Sequence, residues 1–370
     1  MSIASRVGVV LVALIAAGCG KKDDSKPAPV QPTVAPPPVT VPVAEPPRTP
    51  LAADPGGATG NVRWLVGFGS KGEDEPRGID IDAAGNVVIT GIFNGTMTMG
   101  DKVLESQALD AFVAKLDDSG KVLWAHAFGG KNDDVAAAVR FDSKGNVIVA
   151  GWYSDTMTFG SSTLTAVGSD DVFVMSLGAD GSPNWARSIG GENTEAAWAL
   201  ATGANDDVIV VGEFRGTVNF GTGPVESAGN TDVFVLALSK DGERKWARQF
   251  GDMNFDFGRA VAIDSRGDVV LAAEFAGSVD FGGGALEATG NRDIAVVKLA
   301  GTDGSFRWAR QFGNTFDDVV LGLAIDGADN IAIGGSYEAE NPFEKGTRSN
   351  GRKDAFVARL DPTGELQWAR

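Results

Sequence analysis

The chain has 370 residues with 49 acidic against 32 basic side chains, a formal charge of −17. A field of that sign repels phosphate backbones and argues against nucleic acid as a partner. A single Cys, Cys19, and a single His, His126, exclude an intrachain disulfide and the common Cys/His zinc sites, while 50 glycines without a triplet period point to many tight turns.

Residues 1–18 carry Arg6 and an apolar run from Val7 to Ala17, too short to cross a bilayer as a stable helix. The run ends in Leu14-Ile15-Ala16-Ala17-Gly18-Cys19. This string resembles the bacterial lipoprotein signal, with Ala16 where that family favours Leu. The resemblance implies that residues 1–18 are removed as a signal peptide. It also implies that Cys19 is acylated and that the protein is exported and held on a membrane by its lipid. Gly20 after the cysteine, rather than Asp, points by the same resemblance to the bacterial outer membrane. Residues 19–61 then read as a tether, because 11 of the 16 prolines fall between Pro27 and Pro55. Such a segment lacks ladder donors and apolar surface, and extends near polyproline II.

From residue 62 to 370 a repeat takes over. Trp64, Trp124, Trp185, Trp246, Trp308 and Trp368 stand 60, 61, 61, 62 and 60 residues apart. Each unit of about 61 residues offers four short strands, A to D, bounded by Gly, Asp or Asn, and no window carries a useful helical period. Asp82 to Gly85, Asp142 to Gly145 and Asp117 to Gly120 read as tight hairpin turns. Four antiparallel strands per unit is the pattern of a propeller blade. Small residues in strand A, such as Gly78, Ala136-Ala137-Ala138 and Gly258, suit a crowded inner strand near an axis. The Trp of strand D reads as a filler between adjacent sheets.

The units contain Asp110-Ala111-Phe112-Val113-Ala114-Lys115-Leu116-Asp117, Trp124, Phe128-Gly129-Gly130, Gly145-Asn146-Val147 and Ala150-Gly151. These strings resemble the bacterial β-propeller repeat family often written SBBP, and related strings recur in phase over residues 62–370. The expected fold is an all-β single propeller of five blades with four antiparallel strands each. A sixth D-like segment at residues 61–69 either completes the last blade or covers an exposed edge, and an open or dimeric arrangement is the alternative.

Four groups of residues are candidates for function. Asp74, Asp134, Glu195, Asp256 and Asp318 precede strand A in every unit. Carboxylates ringing a channel mouth could hold a hard cation such as Ca²⁺, whereas local backbone N–H bonds would make them structural. Asp110, Asp171, Asp232, Asp293 and Asp354 open strand C as turn residues, with Arg187, Arg248 and Arg310 as conceivable partners. His126 fills the slot of those arginines and has no second His or Cys to work with. The B–C connection of the fifth unit departs from the others, and its Tyr337, Glu338, Phe343, Arg348 and Arg352 form the expected partner loop. The favoured reading is a non-enzymatic scaffold that binds or displays a protein or glycan, without a cofactor. A carbohydrate-active hydrolase or lyase using channel-mouth carboxylates and a cation-stabilised structural propeller are the alternatives.

Overall fold

The computed structural model describes residues 62–370 apart from 161, 222 and 345–347. The signal peptide, Cys19 and the proline-rich tether lie outside the described residues. From Trp64 onward the chain forms one compact unit. It is all-β, with repeated four-stranded antiparallel sheets that resemble a β-propeller.

The first sheet holds β1 (Asp74–Ile81), β2 (Val87–Met99), β3 (Lys102–Leu116) and β4 (Val122–Phe128). The second holds β5 (Asp134–Phe141), β6 (Val147–Tyr153), β9 (Asp171–Leu177) and β10 (Pro183–Ile189), with β7 (Thr156–Phe159) and β8 (Ser162–Thr165) as a hairpin between. The third has β11 (Glu195–Thr202), β12 (Val208–Phe214), β15 (Asp232–Leu238) and β16 (Arg244–Phe250) around the hairpin β13 (Thr217–Asn219) and β14 (Pro224–Glu226). The fourth has β17 (Phe257–Ile263), β18 (Val269–Phe275), β21 (Asp293–Leu299) and β22 (Phe306–Phe312) around β19 (Ser278–Asp280) and β20 (Ala285–Glu287). The fifth has β23 (Asp318–Ile325), β24 (Ile331–Tyr337), β25 (Asp354–Leu360) and β26 (Leu366–Ala369). Strand order within each sheet follows the chain, so every sheet is a meander.

Strand A is the inner strand, as its small residues imply: β5 packs on β1, β11 on β5, β17 on β11 and β23 on β17. Each of these strands carries one extra residue opposite strand B. The bulges fall at Arg77, Ala137, Trp198, Arg259 and Leu321. A bulge turns its side chain out of the alternating pattern and bends the strand. It also explains the Ala-Gly motif of strand B. A Cβ on Gly151 would lie 1.8 Å from the Val135 carbonyl oxygen, and one on Gly212 would lie 1.9 Å from that of Ala196.

The B–C connections are more ordered than glycine-rich loops. Three close as two-stranded hairpins, and in the first sheet β2 and β3 simply run on. Their Thr-Met-Thr and Thr-Val-Asn strings alternate, and Met97, Met157, Val218 and Val279 are all buried. The sixth D-like segment forms no strand, apart from one bridge between Gly69 and Thr98. It does not complete the fifth sheet, because β26 already pairs with β25. Trp64 instead covers the first sheet, alongside Phe68.

The tryptophans fasten each sheet to the next. Trp124, Trp185 and Trp246 donate their indole N–H to Ala179, Lys240 and Gly301 carbonyls at 3.1, 2.9 and 2.8 Å, all in the following sheet's C–D turn. The rings lie against that turn's glycine. A Cβ on Gly304, which has φ of 70°, would lie 2.6 Å from the Trp246 ring. Trp124 and Trp246 are buried, Trp185 and Trp308 are half-buried, and Trp368, which meets no further C–D turn among the described residues, is 40% exposed.

Candidate functional site

The repeated acids before strand A serve their own loops. Asp134, Glu195, Asp256 and Asp318 are fully buried, and each accepts the backbone N–H four residues earlier, from Gly130, Gly191, Asp252 and Asn314 at 2.8, 2.7, 3.0 and 2.8 Å. Asp74 accepts from Ser70 in the same way, at 2.7 Å. Burial pushes the carboxyls of Asp134, Glu195, Asp256 and Asp318 up to about 7 against these hydrogen bonds. The structure does not bring the five together: among the described residues no three His, Cys, Asp or Glu side chains converge as metal ligands. Each of the five is anchored in its own loop.

The other expected groups are likewise tied into the repeat. Asp232, Asp293 and Asp354 accept from Ala228, Thr289 and Asn350 amides at 2.9, 3.1 and 2.9 Å, so they fix the turn before strand C. The arginines do not pair with them. Arg187 donates to the Gly242 carbonyl and Glu243 at 3.0 and 2.9 Å, and Arg310 to Thr363 and Glu365 at 3.0 and 2.7 Å, in the next sheet's turn. His126 stacks beside Trp124 with ring centroids 5.4 Å apart, and burial lowers its pKa. The partner loop divides. Tyr337 is buried, and Phe343 packs between Phe312 and Phe356 at 4.8 and 4.9 Å, the aromatic role that Phe281 plays beside Phe250. Arg348 pairs with Glu340 across the loop at 3.1 Å, while Glu338 is half-buried and Arg352 is exposed.

What departs most from the repeat sits on the inner strands. The bulge positions bring Trp198 and Arg259 forward, and the strand B residues beside them are Trp152, Glu213 and Glu274. Trp152 and Trp198, from adjacent sheets, stand 4.8 Å apart at 56°, and both are half-exposed. The Arg259 guanidinium lies 5.0 Å from the Trp198 ring and 4.4 Å from that of Phe257, within cation–π range. Arg259 also pairs with the fully buried Glu274 at 3.3 Å, and Arg292 joins Glu274 to Asp317 at 2.8 and 3.4 Å.

Glu213 lies within this cluster, and burial lifts its carboxyl to about 7 against the pull of Arg259. The Trp198 indole N–H faces this carboxylate and, with Arg259, pulls its pKa down, but the contact falls short of a full hydrogen bond, which leaves Glu213 Oε2 and Trp198 Nε1 buried and poorly paired. Unpaired buried polar atoms cost free energy, so they mark either strain or a place for a ligand. Sequence reasoning passed over these residues because it looked for what repeats. The signal available was the opposite one: Arg77, Ala137, Trp198, Arg259 and Leu321 occupy one repeat position with unrelated chemistries.

A cavity of about 840 Å³ lies elsewhere, among the turns around Asn205, Arg266 and Thr302. Its charges are already matched, Lys245 with Asp207 and the buried Lys298 with Asp264, both at 2.5 Å. The inner-strand cluster, with open hydrogen-bonding capacity, is the better candidate.

No family model matches the chain. The regulatory protein FlaEY of Caulobacter vibrioides is 27% identical over 295 residues, covering 69% of this chain and 30% of that protein. An uncharacterized WD repeat-containing protein, L264, of Acanthamoeba polyphaga mimivirus is 27% identical over 161 residues, covering 38% of this chain and 12% of its own length. The chain thus spans under a third of the curated relatives it matches. Among solved structures, a quinohemoprotein alcohol dehydrogenase from Comamonas testosteroni aligns with 81% of this chain and 53% of its own, at 10% identity and a TM-score of 0.41.

Proposed function

We propose that this protein is an exported, Cys19-anchored binding scaffold, non-enzymatic, whose five four-stranded sheets form an open propeller-like array and whose ligand is a glycan held at Trp152 and Trp198. The observation that carries the reading is a buried carboxylate oxygen and indole N–H, Glu213 Oε2 and Trp198 Nε1–H, that face each other without a full hydrogen bond, at a pair of half-exposed indoles. A sugar ring has apolar C–H faces that stack on an indole, and hydroxyls that both donate and accept. One hydroxyl can donate to the carboxylate while another accepts from the indole, satisfying both atoms. Aromatic walls with a few placed polar groups are the usual make-up of small-ligand sites. The tether of residues 19–61 would then hold the site away from the membrane.

The test is a glycan array on the purified chain, followed by calorimetry on the best binder. Trp198→Ala and Trp152→Ala should each weaken binding at least tenfold with little loss of thermal stability. Absence of binding across neutral and acidic glycans, or binding untouched by Trp198→Ala, refutes the reading. One observation favours a second: a carboxyl titrating near 7, as Glu213 does, can act as a general acid. Turnover of a polysaccharide that Glu213→Gln abolishes while binding survives would move the assignment to a hydrolase or lyase. Membrane association lost on Cys19→Ser tests the anchor separately.

A further inference from the structure

The seam between sheets joins two unlike faces, and the described chain repeats it four times. At the first seam Ala111, Val113 and Trp124 of one sheet meet Val139, Val149 and Phe173 of the next. The outgoing face presents Val113, Val174, Val235 and Val296, all at 0% exposure. Their counterpart in the fifth sheet, Val357, is 49% exposed, and Trp368 beside it is also open. On the first sheet the incoming face is open instead: Ile79 and Ile81 are 41% and 64% exposed. Ile79 lines an apolar groove of about 340 Å³ with Val66, Ile89, Phe112 and Trp64. β1 packs on β5, with no comparable neighbour in the fifth sheet among the described residues. The two open faces are therefore the two complementary halves of one seam.

The lock position on the first sheet is occupied in an unusual way. Trp64 lies over Gly120 and donates its indole N–H to the Asp118 carbonyl at 3.0 Å, as the other tryptophans do to the sheets that follow them. Trp64 does this without belonging to a sheet.

We infer that a second copy of this chain docks head to tail, the outgoing face of its fifth sheet on the incoming face of the first, with Trp368 displacing Trp64 from Gly120. The occupant is argued from continuity with the internal seam: the same residue types at the same register already mate four times. Because the contact is between unlike faces, it propagates until a ring closes. Residues Trp64–Gly69 act as a plug that competes for the lock. A charge of −17 on each copy opposes the encounter, so added salt promotes it.

The experiment is sedimentation velocity on the full chain carrying Cys19→Ser, over a wide concentration range. The expected result is concentration-dependent association that salt strengthens. Trp64→Ala should tighten it about tenfold by removing the competitor, and Val357→Asp should return the protein to a monomer of unchanged thermal stability. Single variants Ile79→Cys and Val357→Cys, mixed and oxidised, should form a disulfide-linked pair. A monomer at every concentration in both the parent and Trp64→Ala overturns the inference. So does association that survives Val357→Asp. A doubly substituted Ile79→Cys/Val357→Cys chain that cross-links only within itself also overturns it, by showing that the faces meet inside one molecule.

Discussion

Replacing Trp246 by Ala tests the seam directly. The indole is 5% exposed, packs with Val235, Val261, Leu271 and Phe250, and donates to the Gly301 carbonyl at 2.8 Å. Emptying so buried a site should cost about 3–5 kcal/mol, towards the upper end because the Gly301 carbonyl loses its donor as well. Trp368 provides the internal control. It stands at the same repeat position, 40% exposed and facing no turn among the described residues, so Trp368→Ala should cost no more than about 1.5 kcal/mol. Urea unfolding at low protein concentration, with the slope compared between variants, measures both. In a stacked array the loss acts on a nearest-neighbour interface, so a changed slope for Trp246→Ala would signal partial unfolding at that seam. Equal losses for the two variants would refute the claim that the seam, and not the sheet itself, is what each tryptophan stabilises.

Other predictions follow from the buried acids and the fifth unit. Asp134, Glu195, Asp256, Asp318 and Glu213 titrate near 7 when folded, above their ordinary 3.8 or 4.5. The folded state therefore holds protons that the unfolded state releases, and stability should fall as pH rises from about 4.5 to 7. Glu213→Gln should flatten that slope, and an unchanged slope in the quintuple amide variant would reject the burial argument. Because the five acids before strand A are spent on separate backbone amides, Ca²⁺ or EDTA should leave the thermal midpoint of the purified protein unmoved; a rise with Ca²⁺ would restore the cation reading. Phe343→Ala should cost about 2–3 kcal/mol as a core truncation, whereas the exposed Arg352→Ala should change stability by less than about 0.5 kcal/mol, both read by urea unfolding.

Strand identity and sheet order were legible because each unit restates them. The Trp spacing, the Asp-x-x-Gly turns and the small residues of strand A all point to one four-stranded meander with strand A inside, and the sheets follow it. What was not legible depends on contacts between units. The B–C connections lie outside the four strands read for each unit, yet their alternating Met97-Thr98-Met99 type strings bury one side and close as hairpins. Phe343 looked like a variable loop residue because its neighbours had diverged, but its ring fills the site between Phe312 and Phe356. The acids before strand A looked like a ring because they recur. Recurrence here repeats a local task, accepting the amide four residues back, and carries no information about convergence at the axis.

That asymmetry locates function more sharply than any motif in the chain. A residue that every unit keeps is explained by the unit: the tryptophan by the seam, the aspartates by their loops, the Ala-Gly pair by the bulge. A bulge residue escapes this constraint, since its side chain leaves the sheet's own packing pattern and is free to differ. At that position the chain places Ala137 in one sheet, then Trp198, then Arg259, and it sets Trp152, Glu213 and Glu274 beside them on strand B. A structural account of Glu274 exists, because two arginines surround it. Glu213 is held less well: Arg259 and the Trp198 indole N–H only partly offset the cost of burying its carboxylate, and its Oε2 lacks a full hydrogen bond. If packing alone governed this position, an apolar side chain such as Ile92 in the first sheet would serve better. Glu213→Ile should then stabilise the isolated protein while removing its ligand binding. Loss of stability in that variant would mean that the carboxylate has a structural partner, and the case for a site would fall with it.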